Sequence, residues 1–228
     1  MIYVLYDTET TGLKSLQVPL NKPASIHKAG SEVIQIGGLV LDDSLVPVRA
    51  FCHYCDCIAP HSDADAYRVH GIDLTAIRKE IPGVFLEDVI VRHIPELLLP
   101  DMTIIGYNCE FDIKMVAQSI RSSGLPFSPG KRVVSRLPRE GRWYLDVMDF
   151  LPQRNKLTSY ASQLTKARDS FYRSFAGRIP LETNMPTLFL EQWEHAHNAV
   201  YDAIETYLLF VDRVYGQKVF KGGVWNGK

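Results

Sequence analysis

Two carboxylates, Asp7 and Glu9, stand two residues apart directly after the apolar run from Ile2 to Tyr6. Alternate residues of a strand point to the same face and lie roughly 6.6 Å apart along the backbone, so both acids would leave the strand on one side. Neighbouring carboxylates repel each other, and a hard cation such as Mg²⁺ or Mn²⁺ removes that repulsion. The alternative is an acidic strand end in solvent, which this pair alone does not exclude.

Two further acids, Asp112 and Asp202, lie in segments whose other residues are compatible with hydrolytic chemistry. Asp112 closes the segment Asn108-Cys109-Glu110-Phe111-Asp112, which follows a short apolar run and opens a helical pattern. Asp202 comes five residues after His197, near the start of the last helical pattern. Five residues turn a helix by about 500°, so His197 and Asp202 cannot share a helical face. We therefore predict that His197 lies on the loop before that helix.

Three segments of the chain resemble, in order, the three motifs of the DEDDh (DnaQ-like) 3′→5′ exonuclease family, which includes the proofreading epsilon subunit, ribonuclease T and exonuclease X. They are Asp7 to Leu13, Asn108 to Asp112 and His197 to Asp202. A sister subclass has tyrosine four residues before the last Asp, where this chain has Asn198, so the histidine subclass is indicated. Other segments that resemble the family are Val33 to Gly37, Ala66 to Ile72, Asp146-Val147 and Lys156 to Ala161.

The resemblance implies a ribonuclease H-like α/β fold, with a mixed β-sheet flanked by α-helices. It implies hydrolysis of nucleic acid from the 3′ end to nucleoside 5′-monophosphates with two Mg²⁺ or Mn²⁺ ions. The implied metal ligands are Asp7, Glu9, Asp112 and Asp202, with Asp7 bridging the ions. His197 is the implied general base, since an imidazole is neutral enough above pH 7 to take a proton from water. His195 lacks the spacing and is interpreted as an ordinary loop histidine.

The resemblance also implies a set of substrate contacts around the acids. Leu13 would wedge against the terminal bases, and Phe111 or His70 would pack near the 3′ nucleotide. Leu13 and Phe111 could instead be core residues, and His70 a capped turn residue. The full implied substrate-binding set is Thr10, Thr11, Gly12, Leu13, His70, Asn108 and Phe111. The implied partner is nucleic acid with a free 3′ end, preferably single-stranded, and the sequence does not distinguish DNA from RNA.

Hydrophobic periodicity predicts the elements that must position these residues. Three early strands are predicted as a meander, and strands and helices then alternate, which favours a mixed sheet flanked by helices. Pro95 is expected to kink the first predicted helix. The predicted strands are Ile2 to Asp7, Val33 to Leu41, Arg49 to Ile58, Met102 to Tyr107 and Trp143 to Val147. The predicted helices are Phe85 to Leu99, Asn108 to Gly124, Thr158 to Leu164 and Asn198 to Gly216.

The composition favours a single α/β domain over residues 1–228, because 228 residues with 46% hydrophobic content can bury one sizeable core, and the resemblance implies that this is one exonuclease domain. The chain opens without a basic leader and has no apolar run long enough to span a bilayer, so we expect a soluble cytoplasmic protein and no membrane partner. Four cysteines are not needed to staple a core of this size, which favours a reducing compartment.

The net charge of −1 hides an uneven distribution. Residues 114–178 contain thirteen Lys and Arg against four acids, which allows a local basic face for nucleic acid. The alternative is a set of scattered, solvated charges. The chain departs from the family at the long loop from Lys14 to Gly30, at Gln35 where an acid is frequent, and at the connection from Thr165 to Glu194. Substrate choice depends on these departures.

Several other interpretations stay open beside the nuclease. The group Cys52, His53, Cys55, Cys57 and His61 suggests zinc, but Cys55 and Cys57 would share a strand face and no second C-x-x-C pair exists. Asp146 and Asp149 are interpreted as structural. A nuclease-dead binding module would be expected to have lost a ligand, and none is missing. A proofreading or accessory role in a polymerase assembly, a role in DNA repair, and a homodimer are all compatible with activity.

Overall fold

The computed structural model describes residues 2–13, 30–99, 102–122, 144–150, 179, 181–184, 198–211, 220–221 and 224–225. Within these ranges the strands are β1 (Ile2–Thr10), β2 (Val33–Leu41), β3 (Pro47–Tyr54), β4 (Met102–Gly106), β5 (Tyr144–Asp146), β6 (Leu181–Thr183), β7 (Phe220–Lys221) and β8 (Val224–Trp225). The helices are α1 (Ala64–His70), α2 (Leu74–Glu80), α3 (Leu86–His93), α4 (Cys109–Ser122) and α5 (Ala199–Leu209), with 3-10 turns at Pro95–Leu98 and Val147–Phe150.

Six of the strands form one mixed sheet in the order β5-β4-β1-β2-β3-β6. The first three strands are antiparallel neighbours, as the meander prediction required. β4 then joins the other edge of β1 in parallel, and β5 follows β4 in parallel. Pairing between β1 and β4 ends at Leu5 and Ile105, so the last residues of β1 extend beyond its neighbour. The predicted ribonuclease H-like α/β fold is thereby confirmed.

Each face of the sheet carries its own hydrophobic core, because alternate strand residues point to opposite sides. Leu5, Leu39 and Cys52 pack on the side of α5, called here the α5 face. Val4, Ile36 and Phe51 pack on the side of α3 and α4, called the α3/α4 face. On the first face α5 contributes Val200, Ile204 and Leu208, and on the second α3 and α4 contribute Val89, Ile90, Ile113 and Val116. The sheet is therefore the middle layer of the fold. The position of a residue along its strand determines which of the two cores its side chain joins.

Some predicted boundaries are corrected. The predicted helix from Phe85 to Leu99 is two elements, α3 and a 3-10 turn, because Pro95 cannot donate the hydrogen bond that would continue the helix. The predicted strand from Arg49 to Ile58 ends at Tyr54. Beyond it, the Glu32 carboxylate accepts hydrogen bonds from the N–H groups of Ile58 and Ala59, which replace strand pairing. Cys57 therefore lies outside β3.

The remaining differences concern elements with weak sequence patterns. The short helices α1 and α2 and the three-residue strand β6 were not predicted. The predicted helix from Thr158 to Leu164 lies outside the described residues, as do most of the loop from Lys14 to Gly30 and most of the connection from Thr165 to Glu194. In the part of the chain that the structure describes, no helix is both long enough and apolar enough to cross a bilayer.

Candidate active site

The carboxylates of β1 lie on the α5 face of the sheet. Leu5 belongs to the core of that face, and the alternation of the strand places Asp7 and Glu9 on the same side. Thr8 points to the opposite side, as do Val4 and Tyr6. The end of β1 thus presents two acids on the face of the sheet against which α5 packs.

Helix α5 supplies Asp202, and three contacts fix its first turn. The Asn198 side chain accepts a hydrogen bond from the Val200 N–H, so Asn198 is the N-cap of α5. The Gln35 Oε1 atom accepts another from the Ala199 N–H at 2.9 Å. A Cβ atom on Gly37 would lie 2.2 Å from the Val200 nitrogen, so only glycine lets α5 approach β2 this closely.

This arrangement gathers three of the predicted metal ligands. Asp7, Glu9 and Asp202 each bring a carboxylate oxygen into a group whose members lie within 4.8 Å of one another. Gln35 and Gly37 thus set the place of the helical turn in which Asp202 lies, a role that the sequence motifs did not indicate. The sequence pointed to Gln35 in one way only: this chain has an amide at a position where the resembled family frequently has an acid.

Asp112 reaches the same region from α4. Its Oδ1 atom accepts hydrogen bonds from the Thr8 hydroxyl at 2.7 Å and from the Thr8 N–H at 3.1 Å. Asp112 is buried, and its charge acts on both Asp7 and Glu9. It therefore lies beside the three-carboxylate group, held by the residue between the two acids of β1.

Asp146 determines how α4 begins. Its Oδ1 atom accepts hydrogen bonds from the Asn108 N–H at 2.9 Å and from the Met148 N–H at 3.0 Å. Asn108 has a positive φ of 54°, a conformation that few residues other than glycine adopt without support. These contacts match the structural interpretation of Asp146. The side chain of Asp149 lies outside the described residues.

The acids strongly raise each other's proton affinity. Burial, and then the charges of Asp202 and Asp112, raise the pKa of Glu9 to about 9. Burial, and then the charges of Asp112, Asp202 and Glu9, raise the pKa of Asp7 well above its usual value. Buried acids of this kind are stable in the ionised form only when a cation compensates them. The donor set is all oxygen and fits Mg²⁺ or Mn²⁺.

The residues after β1 form a tight turn. The Thr10 hydroxyl donates to the Gly12 carbonyl at 2.6 Å, and the Thr11 hydroxyl accepts from the Glu32 N–H at 2.9 Å. Leu13 follows with 79% of its surface exposed, so the alternative that it is a core residue is wrong. The segment that follows β1 therefore presents an apolar side chain to solvent.

His70 joins helix α1 to this turn. Its Nδ1 atom accepts a hydrogen bond from the Ile72 N–H at 2.9 Å, which leaves the proton on Nε2 to face the Thr10 carbonyl at 3.2 Å. His70 thus has the capped-turn role that the sequence left open. Phe111 is only partly buried and packs against the core of the α3/α4 face.

Cysteine contributes nothing to a metal site among the described residues. Cys52, Cys55 and Cys57 are buried free thiols, and burial raises the pKa of each. No cysteine joins a group of three ligands in the described ranges. His195 and His197 lie outside the described residues, while α5 begins two residues after His197.

The six-stranded mixed sheet with helices packed on both faces defines a ribonuclease H-like α/β fold, and the comparisons with known proteins agree with that fold. No protein-family model and no curated protein sequence matches the chain. Among solved structures, the exonuclease I from Methylocaldum szegediense matches 93% of the chain with a TM-score of 0.50 and 20% identity. E. coli exonuclease I in complex with a dT13 oligonucleotide matches 94% with a TM-score of 0.50 and 16% identity.

A further exonuclease I structure matches 93% of the chain with a TM-score of 0.50 and 14% identity. The chain spans only 40 to 42% of the length of these three proteins. At this level of identity the likeness establishes the fold.

Proposed function

We propose that this protein is a divalent-metal-dependent 3′→5′ exonuclease that releases nucleoside 5′-monophosphates from single-stranded nucleic acid. The observation that carries the proposal is the convergence of Asp7, Glu9 and Asp202 within 4.8 Å, with Asp112 beside them. These acids come from three separate elements, and their raised proton affinity makes the site unfavourable without cations. The likeness in fold to exonuclease I supports this assignment.

Each acid has a defined task in the proposed mechanism. Asp7, Glu9 and Asp202 would hold one Mg²⁺ or Mn²⁺, and Asp7 and Asp112 a second. When bound, such ions supply an activated water and compensate charge on the phosphate and the leaving 3′-oxygen. His197 would accept the proton of the attacking water, which requires a neutral imidazole.

Substrate would enter past the turn that follows β1. Leu13 follows the end of β1 by three residues, is exposed, and would offer an apolar surface to a terminal base. Thr10 and Thr11 use their hydroxyls to hold the turn, so their contribution to binding would come from the backbone. The single-stranded DNA bound to E. coli exonuclease I supports this class of substrate.

Digestion of 5′-labelled single-stranded DNA and RNA, side by side with Mg²⁺ and with EDTA, tests the proposal. We expect a ladder that shortens from the 3′ end, only with metal. Asp7→Ala should abolish hydrolysis and leave the fold intact, because removing one of several mutually repelling acids does not destabilise the protein. Normal turnover by Asp7→Ala, or digestion in EDTA, would refute the assignment.

A further inference from the structure

A second group of possible metal ligands lies at the β3–β6 edge of the sheet, on the α3/α4 face. His53 comes from β3, His93 from the end of α3 and Glu182 from β6. One ligand atom from each lies within 4.8 Å of the others. Asp7 and Glu9 lie on the α5 face, so the two groups are separated by the sheet.

His53 is the unusual member of this group. It is only 1% exposed, and neither ring nitrogen has a partner at good hydrogen-bond geometry among the described residues, although the Asn184 side chain lies near enough to act on its pKa. A neutral imidazole carries one donor and one acceptor, and leaving both unpaired in the interior costs free energy. Burial, and then the neighbouring His93, lower the pKa of His53 to about 4. Its ring is therefore neutral at physiological pH and keeps a lone pair.

The other two members are already close together. The His93 Nδ1 atom lies 2.5 Å from the Glu182 Oε1 atom, and the His93 ring stacks on His53 with centroids 4.6 Å apart. Both side chains are partly exposed, at 36% for His93 and 40% for Glu182, which gives an ion a route from solvent. Because the two rings stack at an interplanar angle of 25°, their nitrogen lone pairs lie in nearly parallel planes, and holding one ion at this accessible edge requires a rotation of the His93 ring.

Arg49 orients Glu182 without taking all of its oxygens. Its Nη1 atom donates to the Glu182 Oε2 atom at 2.9 Å, which leaves Oε1 directed at the histidines. The Arg49 charge is shared with Glu96, whose carboxylate lies 2.6 Å from Nη2. Hydrogen bonds that fix a ligand's orientation in this way are typical of metal sites.

We propose that His53, His93 and Glu182 form a zinc site that joins β3, α3 and β6. Two imidazoles and one carboxylate suit Zn²⁺, whereas all-oxygen groups suit Mg²⁺. Zinc–ligand distances of about 2.0–2.1 Å place tetrahedral ligand atoms about 3.3 Å apart, so His93 and Glu182 need to separate by less than about 1 Å. Three protein ligands leave the fourth position for water. The ion gives His53 the partner that it lacks.

Zinc titration of the full-length chain, first freed of metal by chelation, tests the site. The titration is made in the Asp7→Ala variant so that binding at the carboxylate group does not obscure it. We expect one equivalent of Zn²⁺ to bind, excess Mg²⁺ not to displace it, and bound zinc to raise the melting temperature. Co²⁺ in place of zinc should give visible absorption bands typical of nitrogen-ligated, four-coordinate cobalt.

His93→Gln and Glu182→Gln are the decisive variants, because both side chains are partly exposed and their replacement should not unfold the protein. Each should weaken zinc binding at least tenfold, since even the loss of an orienting partner costs about 10 to 100-fold. His61→Gln is the matched control, because His61 is exposed and lies outside the group. It should leave the affinity unchanged.

Three results would overturn the zinc site. They are no bound zinc in Asp7→Ala, an affinity unaffected by His93→Gln, and a loss caused by Cys57→Ser instead. None of them bears on the nuclease, because hydrolysis with Mg²⁺ is measured separately. Zinc binding without hydrolysis would overturn only the proposed function.

Discussion

At the level of single residues, the acids at the end of β1 tie protein stability to pH. Burial and the neighbouring carboxylates raise the pKa of Glu9 to about 9, whereas an unfolded glutamate titrates near 4.3. A raised folded pKa contributes stability that is fully present below the unfolded value and is lost as pH rises through the folded value. In the metal-free protein, ionisation of Glu9 should therefore lower the free energy of unfolding as the pH rises.

We expect the melting temperature in EDTA to fall as pH rises from about 5 to about 9, and Mg²⁺ to raise it by more at higher pH. Calorimetric scans across this range, with EDTA and with Mg²⁺, measure both effects. Glu9→Gln is the matched control, because its neutral amide has the same shape and should make the slope in EDTA shallower, with Asp7 still contributing to it. Identical slopes for wild type and Glu9→Gln would show that Glu9 is not the titrating group.

His197 allows the general base to be tested independently of the metal ligands. His197→Ala should retain metal and substrate binding and lose about 10²-fold to 10⁴-fold in turnover, the usual contribution of a positioned base. His195→Ala should change little. Single-turnover rates of both variants decide the matter, and a collapse for His195→Ala instead would mean that the third motif is misplaced. A pH profile alone is ambiguous, because water bound to a metal also titrates.

At the level of secondary-structure elements, Gln35 connects β2 to the first turn of α5. Gln35→Ala removes the acceptor of the Ala199 N–H and should cost about 1–2 kcal/mol of unfolding free energy. Because Asp202 lies in that turn, the variant should also need more Mg²⁺ for half-maximal activity. Urea unfolding and metal titration measure the two effects.

Gln118→Ala is the control for this change. Gln118 is a buried amide of α4, six residues after Asp112, whose Nε2 atom donates to the Ser31 carbonyl and not to α5. It should lower stability and leave the metal requirement unchanged. If Gln35→Ala lowers stability without altering the Mg²⁺ requirement, Gln35 does not position Asp202.

Sequence patterns predicted the long elements well and the short ones poorly. The bounds of β2 agree at both ends, because all nine residues are buried and Gln35 is the one polar side chain in its apolar run. α1 contributes no buried residue, so it has no apolar periodicity to detect. β6 has three residues and depends on pairing with β3, which is more than 120 residues away in sequence. Short elements that tertiary pairing creates leave no local signal.

The same distinction applies to the candidate site. The acids could be selected from sequence because their motifs are local and occur in order. The roles of Gln35, Gly37 and Asp146 depend on contacts with residues at least 38 positions away, and no local pattern encodes them. His53, His93 and Glu182 likewise meet only after folding. Sequence therefore indicates the chemical groups, and the fold determines how they are oriented.

At the level of the whole molecule, the net charge of −1 makes binding to a polyanion depend on where the charges lie. Residues 114–178 carry an excess of nine positive charges, and each phosphate that they neutralise releases a counterion. Fluorescence anisotropy of a labelled single strand in EDTA should give an affinity that falls with salt, with a log–log slope of about 0.7 for each contacted phosphate. An affinity independent of salt would exclude a basic binding face.

The last prediction concerns the form of the substrate. Asp7 and Glu9 lie near the end of β1, and the exposed Leu13 follows three residues after that strand, so in the proposed function the terminal phosphodiester would reach the acids with its bases separated from a partner strand. We expect single strands to be digested faster than a duplex with a 3′ overhang, and blunt duplexes slowest. One labelled strand, assayed alone and in both duplexes at equal Mg²⁺, keeps the scissile sequence constant. Stacking of bases on apolar or aromatic side chains tolerates any base, so changing the 3′ nucleotide should alter these rates little. Faster cutting of the blunt duplex would show that the enzyme grips paired ends, and Leu13 could not then act as a wedge.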